Sequence, residues 1–382
     1  MHSIVSSNQE AASSKKIPQS NLTCISSNTR SSGFSSQDIE IVPEGVAYVG
    51  SVVVCQVVSV GAHDKLENLA GRYVRINPND LIMGVMGNRE STISMYGGLP
   101  DRGFSLPREE PVHLLSGGGL IGECYSSPSY LGCPTRLRIL GLASQEGKLL
   151  EITPRFREKY LHLSCPLILV AGTCANVGKT KFASKFTHFL SYNLGRNVAA
   201  TKLAGAGNLD DLLSLREQGA SCTFDFVDAG LVSTYGDIED SVVETAKGVL
   251  NHLGMAQPDV IIAELGGDIS GANVPAILAD KEILAATSAL ILAPSDVFAA
   301  HGALSYLRLR NFSRPIFMAQ PLKNPAISQE RAKSILKSRL YDCDKTEDLS
   351  NIVDQIDSWW FEKENLIKQE PEHVGLRAIT TF

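Results

Sequence analysis

The sequence predicts an α/β protein with a mostly parallel sheet that carries helices on both faces and follows a small β-rich domain. The first supporting observation is residues 167–180, where apolar residues run directly into a glycine-rich turn that ends in Gly-Lys-Thr. The second is the alternation of apolar strand-like runs with amphipathic helical stretches after it, which is typical of βαβ units. The third is a series of short apolar runs between residues 46 and 142, separated by Gly, Pro and Asn-Asp turns.

Length and composition indicate a globular protein of two or three domains, since the chain has 382 residues, of which 43% are hydrophobic and 20% charged. The formal net charge of −6 gives no basic surplus for nucleic-acid binding. No apolar run approaches the roughly 18 residues that a membrane span needs. The eight cysteines contain no C-x-x-C pair, and a chain of this length needs no disulfides, so we predict reduced thiols and a cytoplasmic location.

The chain divides into four predicted segments. Residues 1–42 are rich in Ser and Asn and poor in large apolar side chains, so they predict a disordered tail without a signal-peptide core. Residues 43–150 form the predicted β-rich domain. Residues 151–166 carry charges, prolines and no clear period, which predicts a linker or a short helix. Residues 167–382 form the predicted α/β domain.

Residues 117–122 of the β-rich domain match G-x-G-x-x-G but predict no dinucleotide site. That fingerprint needs the glycine turn to open a helix, whereas serines and Pro128 follow here. His113 lies in the apolar run before these glycines, and a lone histidine in a strand is usually structural.

Residues 172–180 predict a loop that binds phosphate. The backbone amides of such a loop converge at the positive end of the following helix, and glycines let the main chain approach a phosphate closely. Lys179 is expected to reach the β- and γ-phosphates, and the Thr180 hydroxyl is expected to bind Mg²⁺. Cys174 is interpreted as a small residue tolerated in the loop, with a low-pKa thiol as the alternative. The predicted nucleotide contacts in the loop are Gly172, Thr173, Asn176, Val177, Gly178, Lys179 and Thr180.

The spacing of this loop is unusual because five residues separate Gly172 from Gly178. The G-T-x-x-x-V-G-K-T pattern resembles the loop of dethiobiotin synthetase and its relatives, which include the molybdopterin-guanine-dinucleotide B proteins and the cobyrinate amidases. The resemblance extends over roughly residues 167–326. It implies a P-loop NTPase fold that uses ATP and Mg²⁺.

A second strand is predicted over residues 197–203, with Lys202 at its carboxyl end, where ligands bind in open α/β sheets. The sequence K-L-A-G resembles the K-P-V-A-S-G region of dethiobiotin synthetase, which implies that Lys202 faces the phosphates and the substrate. The alternative is an exposed lysine at the end of a strand.

Acidic residues between 210 and 228 are candidates for the carboxylate that Mg²⁺ needs beside the loop threonine. Asp211 and Asp225 rank ahead of Asp210 and Asp228 as magnesium ligands. A helix N-cap explains Asp210 or Asp211 equally well.

Glu264 ends the apolar run in P-D-V-I-I-A-E-L-G-G-D, which resembles the V-E-G-x-G-G strand of the same family. An unpaired buried carboxylate is costly, so a ligand role for Glu264 is favoured over a structural one. The resemblance implies that Glu264 binds magnesium and that Asp268 contacts the substrate.

The rest of the chain alternates between helix and strand up to residue 320. In the related proteins an asparagine beyond the last of these strands reads the base, which implies this role for Asn324, with a turn asparagine as the equal alternative. Two more helices are predicted over about residues 328–341 and 346–367, of which the second buries Ile352 and Ile356 with one of its two tryptophans.

Two function classes follow. In the first, an ATP-dependent enzyme uses Lys179, Lys202 and Glu264 as catalytic residues, and a substrate carboxylate becomes an acyl phosphate before an amine attacks it. In the second, the α/β domain is a nucleotide-binding switch or delivery protein whose β-rich domain binds a partner. The predicted partner of the enzyme is a small-molecule substrate, and a homodimer is left open.

A further resemblance leaves a third function open. The loop and the stretches F-D-F-V-D-A-G and A-E-L-G-G resemble proteins of the D-glutamate N-acetyltransferase type, which implies an N-acyltransferase-like enzyme acting on an amino acid. The intact Gly-Lys-Thr favours nucleotide use instead.

Overall fold

The computed structural model describes residues 15–35, 38–320 and 325–369, with the backbone alone at 325 and 359–369. They form an 11-stranded mixed sheet followed by a seven-stranded parallel sheet. The predicted fold class, a parallel sheet with helices on both faces after a β-rich region, is confirmed. Within these residues no helix is both long and apolar enough to span a bilayer.

The strands before residue 150 build the mixed sheet and two short two-stranded ribbons. One ribbon pairs Gly45–Ala47 with Phe104–Leu106, and the other pairs Lys65–Glu67 with Tyr73–Arg75. Their bounds are β1 (Lys15–Ile17), β2 (Cys24–Ile25), β3 (Ile39–Val42), β4 (Gly45–Ala47), β5 (Val52–Ser59), β6 (Lys65–Glu67), β7 (Tyr73–Arg75), β8 (Leu81–Met86), β9 (Arg89–Glu90), β10 (Tyr96–Gly98), β11 (Phe104–Leu106), β12 (Val112–Leu114), β13 (Leu120–Ser126), β14 (Arg136–Gln145) and β15 (Lys148–Leu149).

The long strand β5 shows why the sequence of this half contains continuous apolar runs. It pairs antiparallel with β8 on one side and β14 on the other. Alternate side chains enter different apolar clusters, Val53 and Cys55 on one face and Val52 and Val54 on the other. Because side chains alternate across a strand, residues 52–55 of β5 are buried on both faces of the sheet.

The first strands correct the prediction of a disordered tail over residues 1–42. Residues 15–17 pair with β3, and β2 pairs in parallel with β8. Residues 26–29 are fully buried although they are Ser, Ser, Asn and Thr. Composition fails as a guide because the segment packs against both halves of the chain, where Asn28 lies beside Gly118 and Gly207. Residues 1–14 and 36–37 lie outside the described residues.

All neighbouring strands of the second sheet are parallel, and the spatial order is β18-β17-β19-β16-β20-β21-β22. The register places Glu264 of β19 opposite Val170 of β16 and Lys202 of β17. The carboxyl ends of these strands therefore meet at one edge. Their bounds are β16 (Leu167–Gly172), β17 (Val198–Ala204), β18 (Cys222–Thr223), β19 (Val260–Leu265), β20 (Thr287–Ala293), β21 (Ile316–Gln320) and β22 (Tyr341–Asp342).

Helices cover both faces of the parallel sheet. On β16, Leu167 and Leu169 join a cluster with residues of α3, whereas Ile168 and Val170 join a cluster with residues of α1 and α8. The strand is apolar throughout because both of its faces are buried. The helices are α1 (Lys179–His188), α2 (Leu209–Glu217), α3 (Glu239–Gly254), α4 (Val274–Ala279), α5 (Lys281–Ala286), α6 (Val297–Leu309), α7 (Pro325–Arg331) and α8 (Thr346–Gln369).

The first helix ends where the sequence predicts, whereas a helix predicted near the carboxyl terminus differs from the structure. The first helix continues as the π-helical turn Phe189–Asn193 and ends before Gly195, whose φ of 67° is the left-handed value expected of a C-terminal cap. The helix predicted over about residues 328–341 is shorter, because α7 gives way to the π-helical turn Ala332–Leu336 and residues 341–342 are a strand. In α8, Ile352 and Ile356 are buried as predicted.

An arginine from the amino-terminal segment connects the two halves. Arg30 Nη2 lies 2.5 Å from Asp225 Oδ1, and Arg30 Nε lies 2.6 Å from Asp228 Oδ1. The Asp225 side chain is fully buried. Residues 151–166, predicted as a linker or short helix, contain no helix. They run along the α/β half, where the Arg155 amide donates to the Ala229 carbonyl at 2.9 Å.

A carboxylate of the β-rich half also caps a helix of the α/β half. Glu67 is fully buried and accepts hydrogen bonds of 2.7 Å from the amides of Leu209 and Asp210, at the start of α2. The Ser27 hydroxyl donates to the same carboxylate. A negative charge is favourable at a helix amino terminus, so this contact fixes the position of α2.

We predict that Arg30→Ala lowers the free energy of unfolding by about 3 kcal/mol, because it leaves the buried Asp225 without its cation. The matched control is Arg75→Ala, which removes an exposed ion pair with Asp64 and is expected to change the free energy of unfolding by less than about 1 kcal/mol. Urea unfolding monitored by circular dichroism measures both. Equal effects of the two substitutions would contradict a structural role for the Arg30 pairs.

Candidate functional site

The loop between β16 and α1 has the backbone geometry of a phosphate-binding turn. Asn176 and Gly178 have positive φ values of 59° and 101°. A Cβ atom on Gly172 would lie 2.7 Å from Val177 Cγ2 and 3.0 Å from Lys179 Cδ, so the loop folds over that residue without space for a side chain. The loop thus packs tightly directly before the amino terminus of α1, where backbone amides favour anions.

Lys179 begins α1 and folds back over the loop. Its Nζ donates to the carbonyl oxygens of Cys174 at 2.9 Å and Gly267 at 2.7 Å. Burial lowers the pKa of Lys179, and Lys202 lowers it further, whereas Glu264 opposes this change. The ammonium group is thus held at the junction of the phosphate loop and the glycine turn that follows β19.

Thr180 and Glu264 are in direct contact. The Thr180 hydroxyl donates to Glu264 Oε1 at 3.0 Å. The other carboxylate oxygen, Oε2, is buried and has no hydrogen-bond partner among the described residues. Burial and the nearby Asp211 raise the pKa of Glu264 to about 7, although Lys202, Lys179 and the Thr180 hydrogen bond oppose the rise.

Lys202 and Asp211 form a buried ion pair beside Glu264. Lys202 is 8% exposed, which excludes the alternative of an exposed lysine at the end of a strand. Its Nζ donates to Asp211 and, at 3.0 Å, to the Ala206 carbonyl. Burial opposes the charged form of Lys202, but the carboxylates of Asp211 and Glu264 outweigh burial and raise its pKa. The lysine therefore fixes Asp211 in the cavity wall.

The oxygen atoms at this edge fit a magnesium ion. Thr180, Asp211 and Glu264 line the same cavity. The unpartnered Oε2 of Glu264 is a buried acceptor without a donor, which is costly unless a cation or a proton satisfies it. Carboxylate and hydroxyl oxygens are the ligands that Mg²⁺ accepts.

Asp225, the other predicted magnesium ligand, lies outside this group, and its role as a ligand stays a prediction. Its Oδ1 accepts from Arg30 and from the amides of Val227 at 2.8 Å and Asp228 at 3.0 Å. It does not line the cavity. The acidic pattern of this region is explained by a capped turn and by Arg30, which is distant in sequence.

The other predicted residues have mixed outcomes. Asn176, Gly178, Lys179 and Thr180 line the cavity, whereas the Thr173 hydroxyl accepts from the Ser295 amide at 2.9 Å. Asn324 lies outside the described residues.

Asp268 and His113 have structural contacts. Asp268 accepts from the Ser270 amide at 2.9 Å and is not among the residues that line the cavity. His113 Nδ1 accepts from the Cys124 amide at 3.0 Å, in agreement with its structural interpretation.

The cavity has a volume of about 700 Å³ and lies between the two halves of the chain. Its second wall comes from the β-rich half and contains groups that the sequence analysis did not identify, His63, Tyr73 and Arg89. Tyr235 of the α/β half lines it as well. No motif marks these residues, because they come together only through the folding of separate ribbons and strands.

No protein-family model matches this sequence, and no curated protein is significantly similar to it. Among solved structures, a plasmid partition protein from Borrelia burgdorferi is similar over 51% of this chain and 100% of its own, with 15% identity and a TM-score of 0.35. A DUF1611 family protein from Anabaena variabilis is similar over 56% of this chain and 65% of its own, with 15% identity and a TM-score of 0.35. The GTPase PAB0955 from Pyrococcus abyssi is similar over 52% of this chain and 99% of its own, with 10% identity and a TM-score of 0.32.

These likenesses are too weak to identify a family. The fold rests on the chain's own geometry: a buried parallel strand, a glycine-rich loop, and a helix that begins at Lys179 and Thr180. This is a P-loop NTPase fold. The specific resemblance to dethiobiotin synthetase stays a prediction.

Proposed function

We propose that this chain is an ATP- and magnesium-dependent enzyme that activates a small-molecule carboxylate as an acyl phosphate, for ligation or amide formation. One observation carries the proposal: the phosphate loop and the Thr180–Glu264 pair share one cavity with polar side chains of the β-rich half. An acceptor bound by that half would lie beside the terminal phosphate of a nucleotide on the loop.

The nucleotide phosphates would bind the loop amides and the ammonium group of Lys179. Lys179 Nζ now donates to two carbonyls, and it would exchange these for phosphate oxygens. Thr180, Glu264 and Asp211 would hold Mg²⁺, which when bound neutralises charge on the phosphate oxygens. Lys202 is a positioning residue, because it keeps Asp211 at the cavity wall.

In the proposed reaction a carboxylate oxygen of the substrate attacks the γ-phosphorus. The bond between that phosphorus and the β–γ bridging oxygen breaks, and ADP leaves with the electron pair. An amine then attacks the acyl carbon, loses a proton and displaces inorganic phosphate. Lys179 stabilises the charge on the phosphoryl oxygens during the first step.

A second cavity offers a place for the nucleotide base. It has a volume of about 320 Å³ and is lined by apolar side chains, among them Phe298, Ile327 and Leu336. Ser295 lies in its wall and donates through its amide to Thr173 of the phosphate loop. An aromatic base there would leave its phosphates on the loop side.

The same arrangement weighs against a nucleotide switch. A switch would use the β-rich half as a separate module for a partner protein, but here that half lines the phosphate cavity. A wall of this kind is needed where a small acceptor must be held beside a phosphate and away from water.

The test measures ADP release with Mg²⁺ and ATP across a panel of small carboxylic acids, with and without hydroxylamine. We expect at least one acid to increase ADP release and to give a hydroxamate in equimolar amount, because hydroxylamine traps acyl phosphates. Slow ADP release that no acid stimulates would support the switch instead. Acyl transfer from an acyl donor to an amino acid without ADP formation would support the N-acyltransferase alternative.

A further inference from the structure

The part of the cavity wall that comes from the β-rich half contains a cation without an anion among the described residues. Arg89, on β9, lines the cavity and donates through Nη1 to the Leu115 carbonyl. No carboxylate among the described residues lies within ion-pair distance of its guanidinium group, although several arginines elsewhere have such partners. Burial lowers the pKa of Arg89, with Tyr235 opposing the change.

A guanidinium group in this position is an incomplete ion pair. Arginine stays charged even when it is buried, so the loss of water is costly unless an anion replaces it. The group has five N–H donors, and the carbonyl of Leu115 uses one of the two on Nη1. The remaining donors form the planar fork that binds carboxylates in a bidentate manner.

His63 gives a second, independent indication of a ligand at this wall. It lines the cavity near Arg89, and its Nε2 is buried without a hydrogen-bond partner among the described residues. Burial and the positive charge of Arg89 lower the pKa of His63 to about 4, against weaker opposing contributions from the Leu115 carbonyl and Asp64. A neutral imidazole next to Arg89 does not compete with an anion for the guanidinium, and one of its nitrogens accepts a hydrogen bond.

The α/β half contributes a different set of groups to the same cavity. Lys179, Thr180 and Glu264 lie there, and they are the groups assigned above to the triphosphate and its magnesium ion. A molecule that spans the cavity with its reacting carboxylate at Lys179 would place its other end at the β-rich half, where Arg89 lies.

We infer that Arg89 binds a carboxylate of the substrate that does not react, and that His63 accepts a hydrogen bond from the same molecule. This inference rests on the proposed function, which assigns the reacting carboxylate to the phosphate side. The substrate class is accordingly a small acid with a second carboxylate, and Arg89 determines its specificity.

The experiment compares Arg89→Met with the matched control Arg75→Met, whose arginine is exposed and lies outside the cavity. Calorimetric binding is measured for short aliphatic dicarboxylic acids and for monocarboxylic acids of the same chain length. We expect the wild type and the control to prefer the dicarboxylic acid, and Arg89→Met to bind it about 10- to 150-fold more weakly, the effect of losing a hydrogen bond to a charged group. The affinity for ATP is expected to be unchanged in both variants.

Two further variants keep the test decisive. Arg89→Lys retains the charge but loses the planar fork of donors, so it is expected to keep only part of the preference for the dicarboxylic acid. This variant serves as the test if Arg89→Met does not fold. His63→Leu is expected to weaken binding of a dicarboxylic acid that also carries a hydroxyl group by up to about 10-fold.

The outcomes separate the inference from the proposed function. Equal binding of dicarboxylic and monocarboxylic acids by the wild type, or an unchanged preference in Arg89→Met, overturns the inference even if ATP is bound and hydrolysed. If ATP is not bound but the preference is present and depends on Arg89, the proposed function fails and the anion site stands.

Discussion

Replacement of Lys179 by alanine is expected to abolish nucleotide binding or to reduce ATP turnover by at least about 100- to 1000-fold, the loss seen when one charge-stabilising group is removed from a transition state. The physical reason is local. Lys179 supplies the ammonium group at the phosphate loop, and the only hydrogen bonds of its Nζ in the described structure go to two backbone carbonyls of the site. Titration with a fluorescent ATP analogue and a coupled ADP assay measure both quantities.

The matched control is Lys185→Ala on the same helix. Lys185 is half exposed, and its ion pair in the described part of the chain is a 3.7 Å contact with Asp344, so its loss is expected to leave binding and turnover unchanged. Circular dichroism confirms that both variants are folded. If the Lys179 variant keeps its ATP affinity, residues 172–180 are not a phosphate loop.

The parallel sheet could be predicted because its determinants are local in sequence. The apolar run before Gly172 is buried on both faces, and the periodic apolar residues of α1 lie on one side of the sheet. Gly195 has the left-handed conformation that its position after the helix predicts. In each case the residue type and its near neighbours determine the structure.

The amino-terminal segment could not be predicted in the same way. Residues 26–29 are polar, and composition gives no reason for them to be buried. Their burial depends on contacts that are distant in sequence, such as the pairing of Arg30 with Asp225 and the capping of α2 by Glu67. Hydrogen bonds between residues more than a hundred positions apart leave no periodic signal in either partner.

The residues of the candidate site also differ in whether local sequence predicts them. Lys179 and Thr180 were predicted from the glycine-rich loop and Glu264 from its place at the end of an apolar run, and the structure brings the three together. The ion pair of Asp225 with Arg30 was not predicted, because the two residues are distant in sequence. Arg89 was not predicted because it lies on a two-residue strand and no sequence motif surrounds it.

Replacement of Glu264 by glutamine is expected to lower magnesium-dependent turnover at least about 100-fold while leaving ATP binding nearly intact. Glutamine has the same shape, and its side-chain oxygen still accepts the hydrogen bond that Thr180 donates at 3.0 Å. What it loses is the negative charge and the second carboxylate oxygen, which has no partner among the described residues and is the proposed ligand of Mg²⁺.

The fold should tolerate this change, and that makes the result interpretable. Burial already raises the pKa of Glu264 to about 7, so a neutral amide removes a charge that the apo protein disfavours. The thermal unfolding temperature in the absence of Mg²⁺ is therefore expected not to fall, and the stabilisation that Mg²⁺ gives the wild type is expected to disappear. The control is Glu217→Gln at the exposed end of α2, which should retain both turnover and stabilisation by Mg²⁺. Wild-type turnover in the Glu264 variant would leave Asp211 as the sole carboxylate ligand for the metal and would make Glu264 a structural acceptor for Thr180.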